Sequence, residues 1–111
     1  MTPLLSIIIV SYNTKDITQK CLETIYTSLE KHLDFAVEII VLDNASSDTS
    51  IEMLNDFKLQ VESNMNIKFK IIESKENTGF SKGNNLAAGH ATADTLLFLN
   101  SDTEVMGDAI F

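Results

Sequence analysis

Four short apolar runs, rich in β-branched residues and set at intervals that leave room for a helix between them, constrain this chain more than any other feature. Residues 4–10 read LLSIIIV, 37–42 VEIIVL, 67–72 IKFKII and 95–99 TLLFL. A run with almost no polar interruption suits a strand covered on both faces. Between the first two runs, Ile17, Cys21, Leu22, Ile25 and Leu29 recur at helical spacing. They predict a helix to about Lys31, with Asn13, Thr14 or Asp16 available as its cap. Ile51, Leu54 and Phe57 predict a second, short helix, and residues 59–66, polar and irregular, read as a mobile surface loop. Leu86, Ala87 and Ala88 mark a third helix that Gly89 can close. After residue 99 comes Asn100-Ser101-Asp102-Thr103-Glu104, and the chain reaches Phe111 in what reads as the opening of another helix.

Strands alternating with helices predict an α/β fold of three layers: a mainly parallel sheet, helices on both faces and right-handed crossovers. With strand order 3-2-1-4, the strand order reverses between strands one and four, and ligands in such sheets bind beyond the carboxyl ends of the strands at that point. Ser11, Tyr12 and Asn13 then stand on one side of the crevice and Asn100, Ser101 and Asp102 on the other. Loops after strands are polar in any α/β protein, so placement alone does not assign a function.

Composition narrows the ligand. The 111 residues are one domain's worth, and the 44% hydrophobic and 22% charged content is that of a folded chain. Eight Lys, no Arg and a formal charge of -8 argue against nucleic acid, whose affinity comes largely from clustered cations that release counterions. An acidic protein that handles a diphosphate does so more plausibly through a divalent cation, backbone amides and a helix N-terminus. Cys21 is the single cysteine, which excludes an internal disulfide, and reads as a small buried apolar residue. His32 and His90 stand apart from each other and from the polar clusters, and read as surface or helix-terminal residues. No apolar run is long enough to span a bilayer and no signal peptide is read, so a cytoplasmic location is expected.

The polar clusters themselves are specific. VSYN, VLDNASSDTS, NTGFSKGNNLA and LFLNSDTEV, in this order and at these spacings, closely resemble glycosyltransferase family 2, and most closely its rhamnosyltransferase-like members. The resemblance runs over about residues 6–106. It implies that residues 1–111 are the N-terminal nucleotide-sugar-binding portion of a GT-A domain, a Rossmann-like half ending shortly after the DxD-like position.

Carried over residue by residue, the resemblance sets Tyr12 against the nucleotide base, where an aromatic face gains from stacking; packing at a strand end is the alternative. Asp43 matches the acid that accepts the pyrimidine ring N–H, with a turn or cap role as its alternative. Ser11, Asn13 and Asn44 fall beside these positions, although Asn44 and Asp48 read far more readily as turn and cap residues. Gly79 and Gly83 suit a loop that a ligand approaches closely. Lys82 matches a position that is often basic and can meet a phosphate, and Asn84 and Asn85 lie beside it as orienting groups. Asn100-Ser101-Asp102 occupies the place of the DxD motif, which holds Mg²⁺ or Mn²⁺ against the donor's diphosphate. Asn at its first position leaves Asp102 as the main carboxylate ligand, with Asn100 as the second residue of the metal site and Ser101 among the nucleotide-binding residues.

The function so implied is metal-dependent, inverting transfer of a sugar from a UDP- or dTDP-sugar, dTDP-rhamnose being the best single guess, to the hydroxyl of a glycan or lipid-linked acceptor. The setting implied is polysaccharide assembly, peripheral to the cytosolic face of a membrane. No catalytic residue is assigned in these 111 residues; the general base is expected downstream, so the chain by itself is expected to bind donor nucleotide, to transfer little and to self-associate through an exposed sheet edge. The rival reading is a non-catalytic nucleotide-binding or interaction module on the same fold. A second, weaker rival is a flavodoxin-like or receiver-type α/β domain, although a receiver needs an acidic pair where this chain has Tyr12-Asn13; a dehydrogenase reading is poor without GxGxxG after the first run.

Overall fold

The computed structural model describes residues 3–30 and 35–106. In chain order they form β1 (Leu5–Ser11), α1 (Lys15–Leu29), β2 (Val37–Asp43), α2 (Ser50–Val61), β3 (Ile67–Glu73), α3 (Phe80–Ala88) and β4 (Thr95–Asn100). The four strands make one sheet in the order β3-β2-β1-β4, and each neighbouring pair is parallel. The expected α/β architecture and strand order are thus those of the structure. His32, the approach to Lys31 and the helix opening before Phe111 lie outside the described residues.

The period of the strands sorts their side chains into two cores. Ile7 and Ile9 of β1, Ile39 and Val41 of β2 and Phe69 of β3 face α1 and α2, where Cys21, Leu22, Ile25, Leu54, Phe57 and Val61 meet them. Ile8, Val10, Ile40 and Leu42 face the other way, onto Ala87 of α3. The central strands are therefore covered on both sides, the burial that a continuous β-branched run anticipates. β4, paired among the described residues to β1 alone, leaves Leu96 and Phe98 37% and 49% exposed.

Residues 59–66 depart from expectation. α2 continues through Leu59 and Gln60 to Val61, because Val61 completes the stripe begun by Met53, Leu54 and Phe57 and is fully buried. Only the turn after it is irregular: the Asn64 and Ile67 N–H groups donate to the carbonyls of Val61 and Asn64. Thr14 is the N-cap residue of α1, but its hydroxyl lies against Thr18 and Ser11 rather than capping the helix. Gly89 does close α3, though at φ -63, so no left-handed freedom is used. Cys21 is buried as expected, and burial first, with the nearby Asp102 carboxylate second, pushes its thiol up to about 11.

α3 lies close to the sheet because of Gly83. A Cβ there would sit 3.2 Å and 3.3 Å from the two methyl carbons of Val10. Gly83→Val, which adds two methyl groups beyond that contact, is expected to cost about 1–3 kcal/mol, read as a lower urea midpoint with unchanged slope.

Candidate functional site at the carboxyl edge of the sheet

The strand register sets the expected residues level with one another. Ser11 pairs with Asp43, Asp43 with Glu73, and Val10 with Asn100. The polar segments after β1, β2, β3 and β4 therefore share one edge, and the crevice between β1 and β4 has Tyr12 on one side and Ser101-Asp102 on the other.

What each side chain does there differs. Tyr12 is 46% exposed, a free aromatic face beside the strand end. Ser11 is fully buried and its hydroxyl lies 2.8 Å from that of Thr18, so it joins β1 to α1 rather than facing outward. Asn13, at φ 50, is tied to the loop after β2: its N–H donates to Ser46 Oγ at 2.8 Å and its Oδ1 accepts the Ser47 N–H at 2.7 Å. Such a left-handed turn is open to Asn, whose short polar chain bonds locally. Asp43 is buried, with Oδ1 accepting the Ser46 hydroxyl at 2.6 Å and Oδ2 the Ser46 N–H at 3.0 Å. Each carboxylate oxygen can accept more than one bond, so this turn role leaves acceptor capacity for a ligand.

Asn44 is also buried and spends its carboxamide on Thr78 and Gly79. Asp48 braces both neighbouring helices: Oδ1 accepts the Ser50 N–H and hydroxyl, and Oδ2 the Lys15 N–H at 3.3 Å. The bond from the Ser50 hydroxyl is the chief reason its carboxyl lies below the ordinary aspartate value. Its reading as a turn and cap residue is the one the geometry bears out. Of the residues after β3, Gly79 adopts φ 83 and ψ 171 as the N-cap of α3, a region essentially confined to glycine. Lys82 and Asn85 point into solvent from α3, whereas Asn84 Oδ1 is buried without a hydrogen-bond partner among the described residues.

Across the crevice, Asn100 and Asp102 are exposed and Ser101 half-buried. The turn is closed by the Thr103 N–H donating to the Asn100 carbonyl at 3.0 Å and anchored on α1 by the Val105 N–H donating to Thr24 Oγ1 at 2.9 Å. Asp102 lines a groove with Asp16, Ile17, Lys20 and Glu104. An adjoining groove, lined by Asn13, Thr14, Lys15, Asp16, Ile17 and Asp48, continues toward the β1–α1 turn. Among the described residues no three metal-ligating side chains converge. One exposed carboxylate and a carboxamide do not cage a cation, but they suit one that takes its remaining ligands from a diphosphate and water.

Comparison with known proteins supplies the family and the fold. The sequence model of glycosyl transferase family 2 matches residues 6–110. The chain belongs to that family. An uncharacterized glycosyltransferase of Bacillus subtilis, YfnE, is 34% identical over 95% of this family-2 chain and 24% of its own length. The mannosyltransferase PcManGT of Pyrobaculum calidifontis, solved with GDP-Man and Mn²⁺, superposes with a TM-score of 0.79 at 22% identity, over 97% of this chain and 30% of that one. S. aureus TarS 1-349 in complex with UDP-GlcNAc gives a TM-score of 0.76 at 21% identity, over 96% and 28% of the two chains. The chain spans between 14% and 28% of the length of the curated relatives it matches. At such identities the two structures establish the fold, which is that of GT-A glycosyltransferases.

The serines that hold the site were not singled out as such from sequence. Ser46 follows Asp43 by three residues, a spacing at which an Asp side chain closes a turn on the following backbone, and that was the available signal. Nothing local marked Thr78 as the partner of Asn44, 34 residues away.

Proposed function

We propose that this chain forms the donor-binding part of a glycosyltransferase that moves a sugar from a nucleoside-diphosphate sugar to an acceptor hydroxyl with inversion, in glycan or polysaccharide synthesis. The observation that carries the reading is the gathering, at one sheet edge, of an exposed aromatic at Tyr12, a buried carboxylate at Asp43, the first turn of α3 with Gly79 and Lys82, and the Asn100–Asp102 turn across the crevice.

In this reading Tyr12 stacks on the base and Asp43 accepts a ring N–H, which favours a pyrimidine donor, UDP or dTDP, dTDP-rhamnose included. GDP-Man bound to PcManGT and UDP-GlcNAc to TarS illustrate that related folds take purine and pyrimidine donors alike, so the base is a point to test. Ser11, Asn13 and Asn44 shape the pocket from within, and Lys82 and Asn85 flank the phosphates. Asp102 and Asn100 would hold Mg²⁺ or Mn²⁺ jointly with the diphosphate, with Ser101 beside them; when bound, the cation neutralises charge on the departing nucleoside diphosphate. Among the described residues none is assigned as the base that deprotonates the acceptor. No helix of the described residues is long and apolar enough to cross a membrane; work at the cytosolic face belongs to the proposal, as does self-association through β4.

Thermal unfolding with UDP, dTDP or GDP, each with Mn²⁺ or with chelator, tests this. A ligand at a hundredfold its dissociation constant adds about 2.7 kcal/mol, and each kcal/mol moves a domain of this size by roughly 4–8 °C. A rise that needs the metal and is lost in Asp102→Ala, an exposed position whose truncation leaves the core intact, is the expected result. No shift with any nucleotide at saturating concentration, in a sample that unfolds cooperatively, rejects donor binding by this chain.

A further inference from the structure

Residues 101–106 alternate in exposure: Ser101, Thr103 and Val105 are half-buried, whereas Asp102, Glu104 and Met106 face outward. The stretch is held at both ends. At the first, Asn100 is paired with Val10 in the sheet and its carbonyl accepts the Thr103 N–H at 3.0 Å. At the second, Val105 packs against the core and its N–H donates to Thr24 Oγ1 at 2.9 Å.

Thr24 suits that acceptor role because its own proton is committed elsewhere. Its hydroxyl donates to the Cys21 carbonyl, one turn back in α1, at 2.8 Å, which leaves the oxygen lone pairs for Val105. One side-chain oxygen thus joins the backbone of α1 to the backbone that follows β4, 81 residues further along the chain. The same face of α1 runs on toward the candidate site. Asp16, Ile17 and Lys20 stand opposite Asp102 and Glu104 in one groove, and Lys20 and Thr24 meet Val105 in the next. The Thr24–Val105 bond therefore fixes how far from α1 the segment carrying Asp102 stands.

We infer that Thr24 is a positioning residue for the Asn100–Asp102 turn, holding the chain beyond it against α1 so that the Asp102 carboxylate is presented to a cation shared with the diphosphate. This rests on the donor-binding reading above. Thr24 itself touches neither cation nor nucleotide. Ligands carried on an exposed turn bind best where their places are set beforehand, because ordering a loose segment on binding subtracts from affinity. The sheet sets the place of Asn100, and Thr24 sets that of the backbone on the far side of Asp102.

Calorimetric titration of the wild-type chain, Thr24→Val and Thr24→Ser with UDP and with GDP, each in Mn²⁺ and in chelator, tests the inference. Valine removes the oxygen and keeps the branching at Cβ; serine keeps the oxygen. Mn²⁺ is expected to tighten nucleotide binding by the wild type. Thr24→Val should lose about 10-fold of that gain, the low end of the range for a group that orients a metal ligand, with affinity in chelator unchanged. Thr24→Ser should retain the wild-type gain. A full Mn²⁺ gain in Thr24→Val overturns the inference and leaves the donor reading standing. An equal loss in Mn²⁺ and in chelator, or equal losses in the valine and serine variants, assigns Thr24 to the packing of α1 and also overturns it. Wild-type chain that binds nucleotide with no gain from Mn²⁺ removes the cation site and the inference, whereas wild-type chain that binds neither nucleotide removes the donor reading as well. Should Thr24→Val not fold, Thr24→Ala removes the same oxygen with a better helix former, and the same outcomes decide.

Discussion

Glu38→Ala is expected to lower the unfolding free energy by about 2–4 kcal/mol, the loss of charge-assisted hydrogen bonds whose donors come from three other segments of the chain. The Glu38 side chain is fully buried at the second position of β2, and four donors converge on its carboxylate. Ser6 Oγ donates to Oε1 at 2.8 Å, the Thr92 N–H to Oε1 at 2.9 Å, Thr92 Oγ1 to Oε2 at 3.1 Å and Lys70 Nζ to Oε2 at 2.8 Å; the Ala93 N–H in turn donates to Ser6 Oγ at 3.3 Å. Lys70 also donates to the carbonyl of the exposed His90 at 3.0 Å. One carboxylate therefore ties β1, β2 and β3 to the loop between α3 and β4, at the end of the sheet opposite the candidate site. Its removal leaves the buried Ser6 hydroxyl and the part-buried Thr92 N–H without their acceptor, and this, rather than the lost Coulomb attraction, is the larger part of the cost. Lys70 is 38% exposed and partly solvated, so Lys70→Met should cost less, about 1–3 kcal/mol. Urea unfolding of the two variants measures the difference.

The same carboxylate fixes a pH dependence. Burial pushes its pKa up, but the bonds from Lys70, Thr92 and Ser6 outweigh burial and hold it below the ordinary glutamate value. A depressed folded-state pKa means that the unfolded chain binds the proton first. The stabilisation is therefore complete above the unfolded value of about 4.3, and it is lost as the pH falls through the lower, folded value. The stability gap between wild type and Glu38→Gln should accordingly be constant near neutrality and close in acid. A gap that widens in acid would contradict the sign.

The second large effect is a contrast between strands. Ile39→Ala, in a central strand and fully buried among α1, α2 and the neighbouring strands, is expected to cost about 2–5 kcal/mol, the transfer term plus the cavity left behind. Phe98→Ala, in the edge strand and 49% exposed, removes a larger side chain but should cost clearly less, because about half of its surface is already in water. Chemical denaturation of both variants under one buffer decides it. Equal losses would mean that β4 is covered in solution, by a second copy of the chain or otherwise, and protein concentration would then shift the midpoint of the wild type.

The local code of this chain carried the four strands, their parallel order, the two-sided cover of β1 and β2 and the edge at which the polar segments gather. Each follows from features within a few residues: continuous β-branched runs, helical stripes, and polar turns directly after strands. Family motifs such as VLDNASSDTS and LFLNSDTEV then led to glycosyl transferase family 2. Where a single neighbour at helical spacing completed a stripe, as Val61 does for α2, a polar composition misled, since the burial of one side chain outweighs several exposed polar ones in fixing a helix end. What tertiary structure alone decided is which polar side chains face a ligand and which face the protein. Ser11, Asn13 and Asn44 carry the same chemistry whether they point out or in, and only the arrival of Thr18, Ser47, Thr78 and Gly79 settles their partners. Glu38 lies within an apolar run that sequence marks as buried, yet the groups that make a buried carboxylate tolerable come from 32 and 54 residues away. Secondary structure is written in short-range periodicity; the satisfaction of a buried polar group depends on contacts that exist only once the sheet has closed.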